Sequence, residues 1–192
     1  MRFVKEEFAS TLEVKKSKFI AHIFPYKDFD TVMERLKGEH PKARHHVYAY
    51  RYLNEYEQVV ENSSDDGEPK GTSGKPSLNV LNGGDIINTG VIIVRYFGGI
   101  KLGTGGLVKA YSDAVNLVIQ NSEWETYIKL EKIKLFFDYA SLSIVEYNIN
   151  QLGLNIADKE FLDSVSFEVE GSKEVLGDLI KILPRNIKSE KL

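Results

Sequence analysis

A glycine-rich basic loop at residues 95–111, RYFGGIKLGTGGLVKAY, contains the side chains best suited to hold an anion. It has three cations and no acidic residue, in a chain whose formal net charge is -3. Glycines allow positive φ and close approach to the backbone, and the free N–H groups of a helix that starts here would face a bound anion. The loop residues predicted to form this site are Arg95, Gly98, Gly99, Lys101, Gly103, Thr104, Gly105, Gly106 and Lys109.

The loop matches neither standard glycine motif for phosphate binding. The P-loop pattern G-x-x-x-x-G-K-[ST] fails because Pro76 follows Lys75, and G-x-G-x-x-G fails because Val108 stands where the third glycine is required. A tight strand-to-helix connection, in which the glycines serve packing alone, is therefore an open alternative. The absence of acidic residues favours the anion site.

A second loop, ENSSDDGEPKGTSGKPS at residues 61–77, is rich in acids and turn formers. Asp65, Asp66 and Glu68 are close enough in sequence to share one divalent cation. However, the EF-hand spacing is absent, and adjacent aspartates on an extended chain tend to point apart. We therefore expect these acids to cap backbone N–H groups in a solvated turn, and we predict no metal and no cofactor.

Two adjacent histidines begin a predicted strand, HHVYAYRYL at residues 45–53. Neighbouring side chains on a strand leave opposite faces, so His45 and His46 are a poor chelating pair. Of the two we assign His46, together with Arg44, to the anion site, because a protonated histidine donates to phosphate.

Three tyrosines of the same strand share one face, Tyr48, Tyr50 and Tyr52. Aromatic residues favour β-structure and usually pack against neighbours there, which is our expectation. Stacking on nucleic-acid bases is the alternative.

The composition is that of an ordinary globular chain, with 192 residues, 42% hydrophobic and 28% charged. The absence of cysteine excludes disulfides, thiolate metal sites and a thiol nucleophile. The N-terminus lacks the apolar run of a signal peptide, and no segment approaches the roughly 20 apolar residues of a membrane span. We therefore expect a cytoplasmic protein with no membrane partner, which could bind nucleic acid only through a local basic patch.

The first part of the chain, residues 1–122, is predicted to be an α+β domain. Two strands occupy residues 8–25, a helix follows from Asp28, and HHVYAYRYL and EYEQVVEN are strands that precede the acidic loop. A short helix begins near Pro76, a buried strand VIIVRYF follows, and a helix runs from about Leu107 to Gln120. Eleven of the fifteen glycines lie between Gly67 and Gly106, so the rest of the chain is built differently.

The second part, residues 126–192, is predicted to be a separate domain, with the boundary near residues 121–127. Its hydrophobic pattern reads strand, helix, strand, strand, helix, strand, which is the order of a ferredoxin-like split βαβ unit.

The two loops together resemble those of the YigZ/IMPACT family. The resemblance rests on ENSSDDGEPKGTSGKP and VIIVRYFGGIKLGTGGLVKAY, with ARHHVYAYRY and KKSKFIA upstream, and it covers residues of about 8 to 121. It implies an N-terminal domain of the ribosomal-protein domain-two type, a sheet covered on one side by helices, and a C-terminal domain like one in translation elongation factors. Its eukaryotic members regulate translation by binding the activator of an amino-acid-starvation kinase, whereas for bacterial members it implies binding to nucleic acid or the ribosome.

Three functions are compatible with these features. The first is a non-enzymatic regulatory protein linked to translation, which binds RNA, the ribosome or a translation factor through the basic loop. The second is a phosphate-handling enzyme that uses Mg-nucleotide or a phosphorylated small molecule; no nucleophile motif such as G-x-S-x-G supports it. The third is a module that binds only other proteins. We favour the first.

Overall fold

The computed structural model describes residues 1–192 and divides the chain into two compact units, Met1–Tyr127 and Ile128–Leu192. The strands of the first unit are β1 (Arg2–Phe3), β2 (Phe8–Val14), β3 (Ser17–Pro25), β4 (His45–Leu53), β5 (Val59–Ser64), β6 (Thr89–Tyr96) and β7 (Glu125–Thr126). Its helices are α1 (Phe29–Glu39), α2 (Gly74–Gly83) and α3 (Gly103–Gln120). None of the helices in the chain combines the length and apolarity needed to cross a bilayer.

Five strands of the first unit form one antiparallel sheet in the order β2-β3-β6-β4-β5. The central strand, β6, has the sequence TGVIIVRY and is buried over its first seven residues. A strand covered on both faces reads as a continuous apolar run, which explains why VIIV shows no alternation.

Helices cover both faces of this sheet. One face of β6, with Val91 and Ile93, packs against α2 and α3. The opposite face, with Ile92 and Val94, packs against α1. This corrects the expectation that the helices cover one side only, because α1 buries its apolar stripe against the second face of the sheet.

Helix α3 begins at Gly103, four residues before the position expected from the sequence. Glycine disfavours helix by about 1 kcal/mol relative to alanine, so Gly105 and Gly106 indicated a turn. The cost is offset by burial further along the helix, where Leu107, Tyr111 and Val115 enter the core. Gly103, Gly105 and Gly106 therefore belong to the first turn of the helix, whereas Gly98 and Gly99 lie in the loop before it.

The second unit contains the six elements expected from the sequence, in the order βαββαβ. They are β8 (Leu130–Phe137), α4 (Leu142–Gln151), β9 (Asn155–Phe161), β10 (Val165–Ser172), α5 (Lys173–Ile182) and β11 (Lys188–Lys191). The sheet order is β11-β8-β10-β9, and its buried face packs with Val145, Ile149, Leu176 and Leu179 of the two helices. The unit starts two residues later than expected, because β7 pairs with β1 and keeps residues 125–127 in the first unit.

Candidate anion site at the start of helix α3

A cleft of about 460 Å³ opens at the N-terminus of α3. It is lined by the start of β4, the acidic loop, the end of β6 and the first turns of α3. The lining residues are Arg44, His45, Glu68, Pro69, Arg95, Phe97, Lys101, Leu102, Gly103, Thr104 and Leu107. Of the residues predicted for the anion site, Arg44, Arg95, Lys101, Gly103 and Thr104 therefore meet in one place.

Arg95 forms a buried ion pair in this cleft. Its Nη1 donates to Oε1 of Glu68, and the two residues are 6% and 8% exposed. The same Glu68 oxygen accepts a hydrogen bond from the Tyr111 hydroxyl at 2.8 Å. Burial, and then the negative charge of Glu68, raise the pKa of Tyr111, so the hydroxyl remains a donor at physiological pH. The charge of Arg95 is thus compensated by Glu68, although its Nε is buried without a hydrogen-bond partner.

Two phenylalanines flank the guanidinium of Arg95. Its central carbon lies 5.4 Å from the ring centroid of Phe19 and 5.8 Å from that of Phe97. Phe19 is fully buried and packs edge-on against Tyr111, whereas Phe97 is 54% exposed at the cleft. The ion pair is therefore held between a core aromatic ring and a solvent-facing one.

The histidine that faces the cleft is His45. In the sheet register His45 pairs with Arg95 and His46 pairs with Val94, so only His45 shares the face of Arg95. Its Nδ1 lies 2.7 Å from the carbonyl oxygen of Asp66, which requires the proton on Nδ1, and its Nε2 lies 3.9 Å from Oε1 of Glu68.

His46 does not belong to the cleft, contrary to the prediction. Its side chain leaves the opposite face of β4 and is 7% exposed. Burial lowers the pKa of His46, and the ring Nε2 has no hydrogen-bond partner. A neutral, buried ring on the α1 side of the sheet cannot donate to a phosphate in the cleft.

Different structural constraints apply to the individual glycines of the loop. A Cβ at Gly98 would lie 2.0 Å from the backbone of Lys16, so close packing requires glycine there. Gly99 and Gly103 have φ of +84° and +74°, which side chains rarely adopt. Gly106 packs near Leu102, whereas a Cβ at Gly105 would meet no atom within 4 Å. Packing and turn geometry therefore account for several glycines, and Gly105 is free of both constraints.

The positive charge that remains uncompensated at the cleft comes from Arg44 and Lys101. Both are exposed and neither has an ion-pair partner. The first turn of α3 has no acidic residue and no side-chain cap, so its N–H groups add a partial positive charge. Lys109, also predicted for the site, lies outside the cleft lining and pairs with Asp113 at 2.9 Å.

The three acids of the second loop hold three different groups. Oδ1 of Asp65 accepts hydrogen bonds from the backbone N–H of Ser73 and Gly74 and from the Ser73 hydroxyl, and Oδ2 accepts one from Gly71 N–H. Although burial raises the pKa of Asp65, these hydrogen bonds outweigh it and hold the pKa below its usual value. Asp65 thereby caps the start of α2, as the capping interpretation expected.

Asp66 and Glu68 bind groups outside the start of α2. Oδ2 of Asp66 accepts from the backbone N–H of His46 at 2.6 Å, and Glu68 binds Arg95 and Tyr111. No group of three or more histidine or acidic residues in the chain is placed to hold a metal ion. The carboxylates considered as a shared cation site do not converge.

The tyrosines of β4 pack on the α1 side of the sheet, as expected. Tyr48 and Tyr50 contact Phe29 edge-on at 5.2 Å, and Tyr52 stacks on Tyr26 with ring centroids 4.0 Å apart. This aromatic cluster lies outside the cleft lining.

Sequence reasoning missed several cleft residues: His45, Pro69, Phe97, Leu102 and Leu107. His45 carried a usable signal, because alternation places it on one face with Val47 and Ala49, the apolar positions of the strand. The partnership of Glu68 with Arg95 and Tyr111 had no local signal, because it joins residues 27 and 43 positions apart.

Comparison with known proteins identifies relatives that match most of the chain. The family model described as the Impact N-terminal domain matches residues 15–119. An IMPACT family member of Haemophilus influenzae is 38% identical over 152 residues, which are 78% of this chain and 74% of that protein. IMPACT family member YvyE of Bacillus subtilis is 32% identical over 174 residues, 86% of this chain and 76% of that protein.

A solved structure described as that of a hypothetical protein is similar over both units. It has 29% sequence identity and a TM-score of 0.67, and the match covers 100% of this chain and 96% of the other.

Proposed function

This chain belongs to the IMPACT family, and we propose that it is a non-enzymatic regulatory protein of the translation apparatus that holds a phosphate of RNA in the cleft at the start of α3. One observation carries the proposal: Arg44 and Lys101, which have no ion-pair partner, line the same cleft as the uncapped first turn of α3. The link to translation comes from the family resemblance, and the assignment of RNA comes from the charge of the cleft.

The arrangement suits a phosphate group better than a metal or a neutral ligand. Helix N–H groups and cationic side chains together bind phosphate oxygens, and the cleft places both around one opening. Glu68 is the acid that lines the cleft, and its charge is compensated by Arg95. The net field at the mouth is therefore positive, although the chain as a whole has a formal net charge of -3.

The test is a fluorescence anisotropy titration of a short labelled RNA at several salt concentrations. We expect affinity to fall steeply with salt, because each phosphate contact releases counterions. Arg44→Ala with Lys101→Ala should weaken binding and reduce the slope of log K against log salt by about 0.7 for each lost contact. A matched control with the same change of charge, Lys27→Ala with Lys181→Ala, removes two exposed lysines that lie outside the cleft.

The two alternatives are tested by a second titration of the same protein, with labelled ATP in the presence and absence of magnesium. Saturable binding of ATP that requires magnesium would support the phosphate-handling enzyme and overturn the proposal. Binding of neither RNA nor nucleotide would leave a module that recognises proteins. RNA binding with equal salt slopes for the cleft variant and its control would place the RNA site elsewhere on the chain.

A further inference from the structure

Phe97 is a large apolar side chain exposed at the mouth of a charged cleft. It is 54% exposed, although it follows directly on the buried strand β6. Its ring lies 5.8 Å from the guanidinium carbon of Arg95, an attractive cation–π distance. Because Arg95 is fixed by Glu68, this contact restrains the ring while leaving part of it open to solvent.

The remaining walls of the cleft divide into a polar and an apolar part. Arg44, Lys101 and the first turn of α3 form the polar part, and Pro69, Leu102 and Leu107 join Phe97 in the apolar part. The volume of about 460 Å³ lies within the range of small-molecule sites, roughly 300–1,000 Å³. A ligand that fills this space has an anionic end and a flat apolar end.

We propose that the cleft takes one whole nucleotide of a single-stranded RNA, with the base stacked on Phe97 and the phosphate beside Arg44, Lys101 and the start of α3. This inference rests on the proposed function, and it adds the ligand unit and the residue that recognises it. Stacking on an aromatic ring tolerates every base, so the site recognises an unpaired nucleotide rather than a sequence.

The exposed groups of the cleft, rather than Arg95, provide the contacts to the nucleotide. The Nε of Arg95 has no hydrogen-bond partner, although Arg95 is 6% exposed and lines the cleft. Because this nitrogen has almost no accessible surface, a ligand in the cleft does not reach it, and the phosphate and base meet Arg44, Lys101 and Phe97 instead. A double-stranded RNA fits less well, because its bases are stacked on each other and cannot reach Phe97.

The experiment compares two oligonucleotides that have the same phosphates. One is a five-nucleotide RNA, and the other is the same backbone without bases. Anisotropy titrations should show the wild-type protein binding the RNA about tenfold more tightly than the abasic strand, within the range of base–aromatic stacking. Phe97→Leu should remove this difference and leave the affinity for the abasic strand unchanged, whereas Phe97→Trp should retain it.

Ile100→Ala serves as the matched control, since Ile100 is an exposed apolar residue of the same loop that does not line the cleft. Equal RNA affinity for Phe97→Leu and wild type would overturn the stacking inference. If both strands bind wild type equally and lose affinity in the Arg44→Ala, Lys101→Ala variant, the proposed function holds and the stacking inference fails. If neither strand binds wild type, both fail.

Discussion

At the scale of single residues, the cleft contains one cation that is paired with an acid and two that are not. Arg95 was predicted as an anion ligand from its position beside the glycines. Instead it donates to Glu68, whose carboxylate also accepts a hydrogen bond from Tyr111. Arg44 and Lys101 keep their charges free. Arg95 therefore stabilises the floor of the site, and the anion is held by its exposed neighbours.

Removing one partner of the buried Arg95–Glu68 pair should lower the free energy of unfolding. Arg95→Ala leaves Glu68 with an unpaired buried charge, so we expect the free energy of unfolding to fall by about 3–5 kcal/mol at pH 7. Urea unfolding followed by tryptophan fluorescence measures this for the first unit, because Trp124 is the only tryptophan and packs against its core.

A double variant separates lost pairing from lost packing. Arg95→Met with Glu68→Gln removes both charges and keeps an acceptor for the Tyr111 hydroxyl. Its free energy of unfolding should therefore fall by less than that of Arg95→Ala. A double variant that is no more stable than the single one would show that the pair is not the source of the effect.

At the scale of elements, the glycine loop contributes both a turn and a helix start. The sequence predicted the strand, the helix and the glycine-rich connection, since these follow from hydrophobic periodicity and turn formers. It misplaced the start of α3 because helix propensity is local, whereas the burial that stabilises the helix comes from packing of Leu107 and later residues in the core. The assignment of His46 rather than His45 failed although the strand carried the signal, because alternation places His45 on the face of Val47 and Ala49 and His46 on the opposite face.

Two glycine substitutions should have opposite effects on stability. Gly105→Ala adds a methyl group in open space on a helix, so we expect stability to rise by about 0.5 kcal/mol. Gly98→Ala places Cβ against the backbone of Lys16, so we expect clear destabilisation. The same urea titration distinguishes them, and a destabilised Gly105→Ala would contradict the assigned helix start.

At the scale of the whole molecule, the two units have separate cores and separate sheets. The first unit contains the cleft, and its matched family model spans most of that unit. The second unit has the βαββαβ order predicted from its periodicity, and its two helices and its inner strands β8 and β10 supply the buried core.

The most direct test of the central claim is a ¹H–¹⁵N NMR titration of the full chain with the five-nucleotide RNA. We predict that the largest shift changes fall on the amides of Gly103, Thr104, Gly105 and Gly106, because phosphate oxygens would accept hydrogen bonds from the first turn of α3. Shift changes confined to residues away from the cleft, with these four amides unmoved at saturation, would contradict the account.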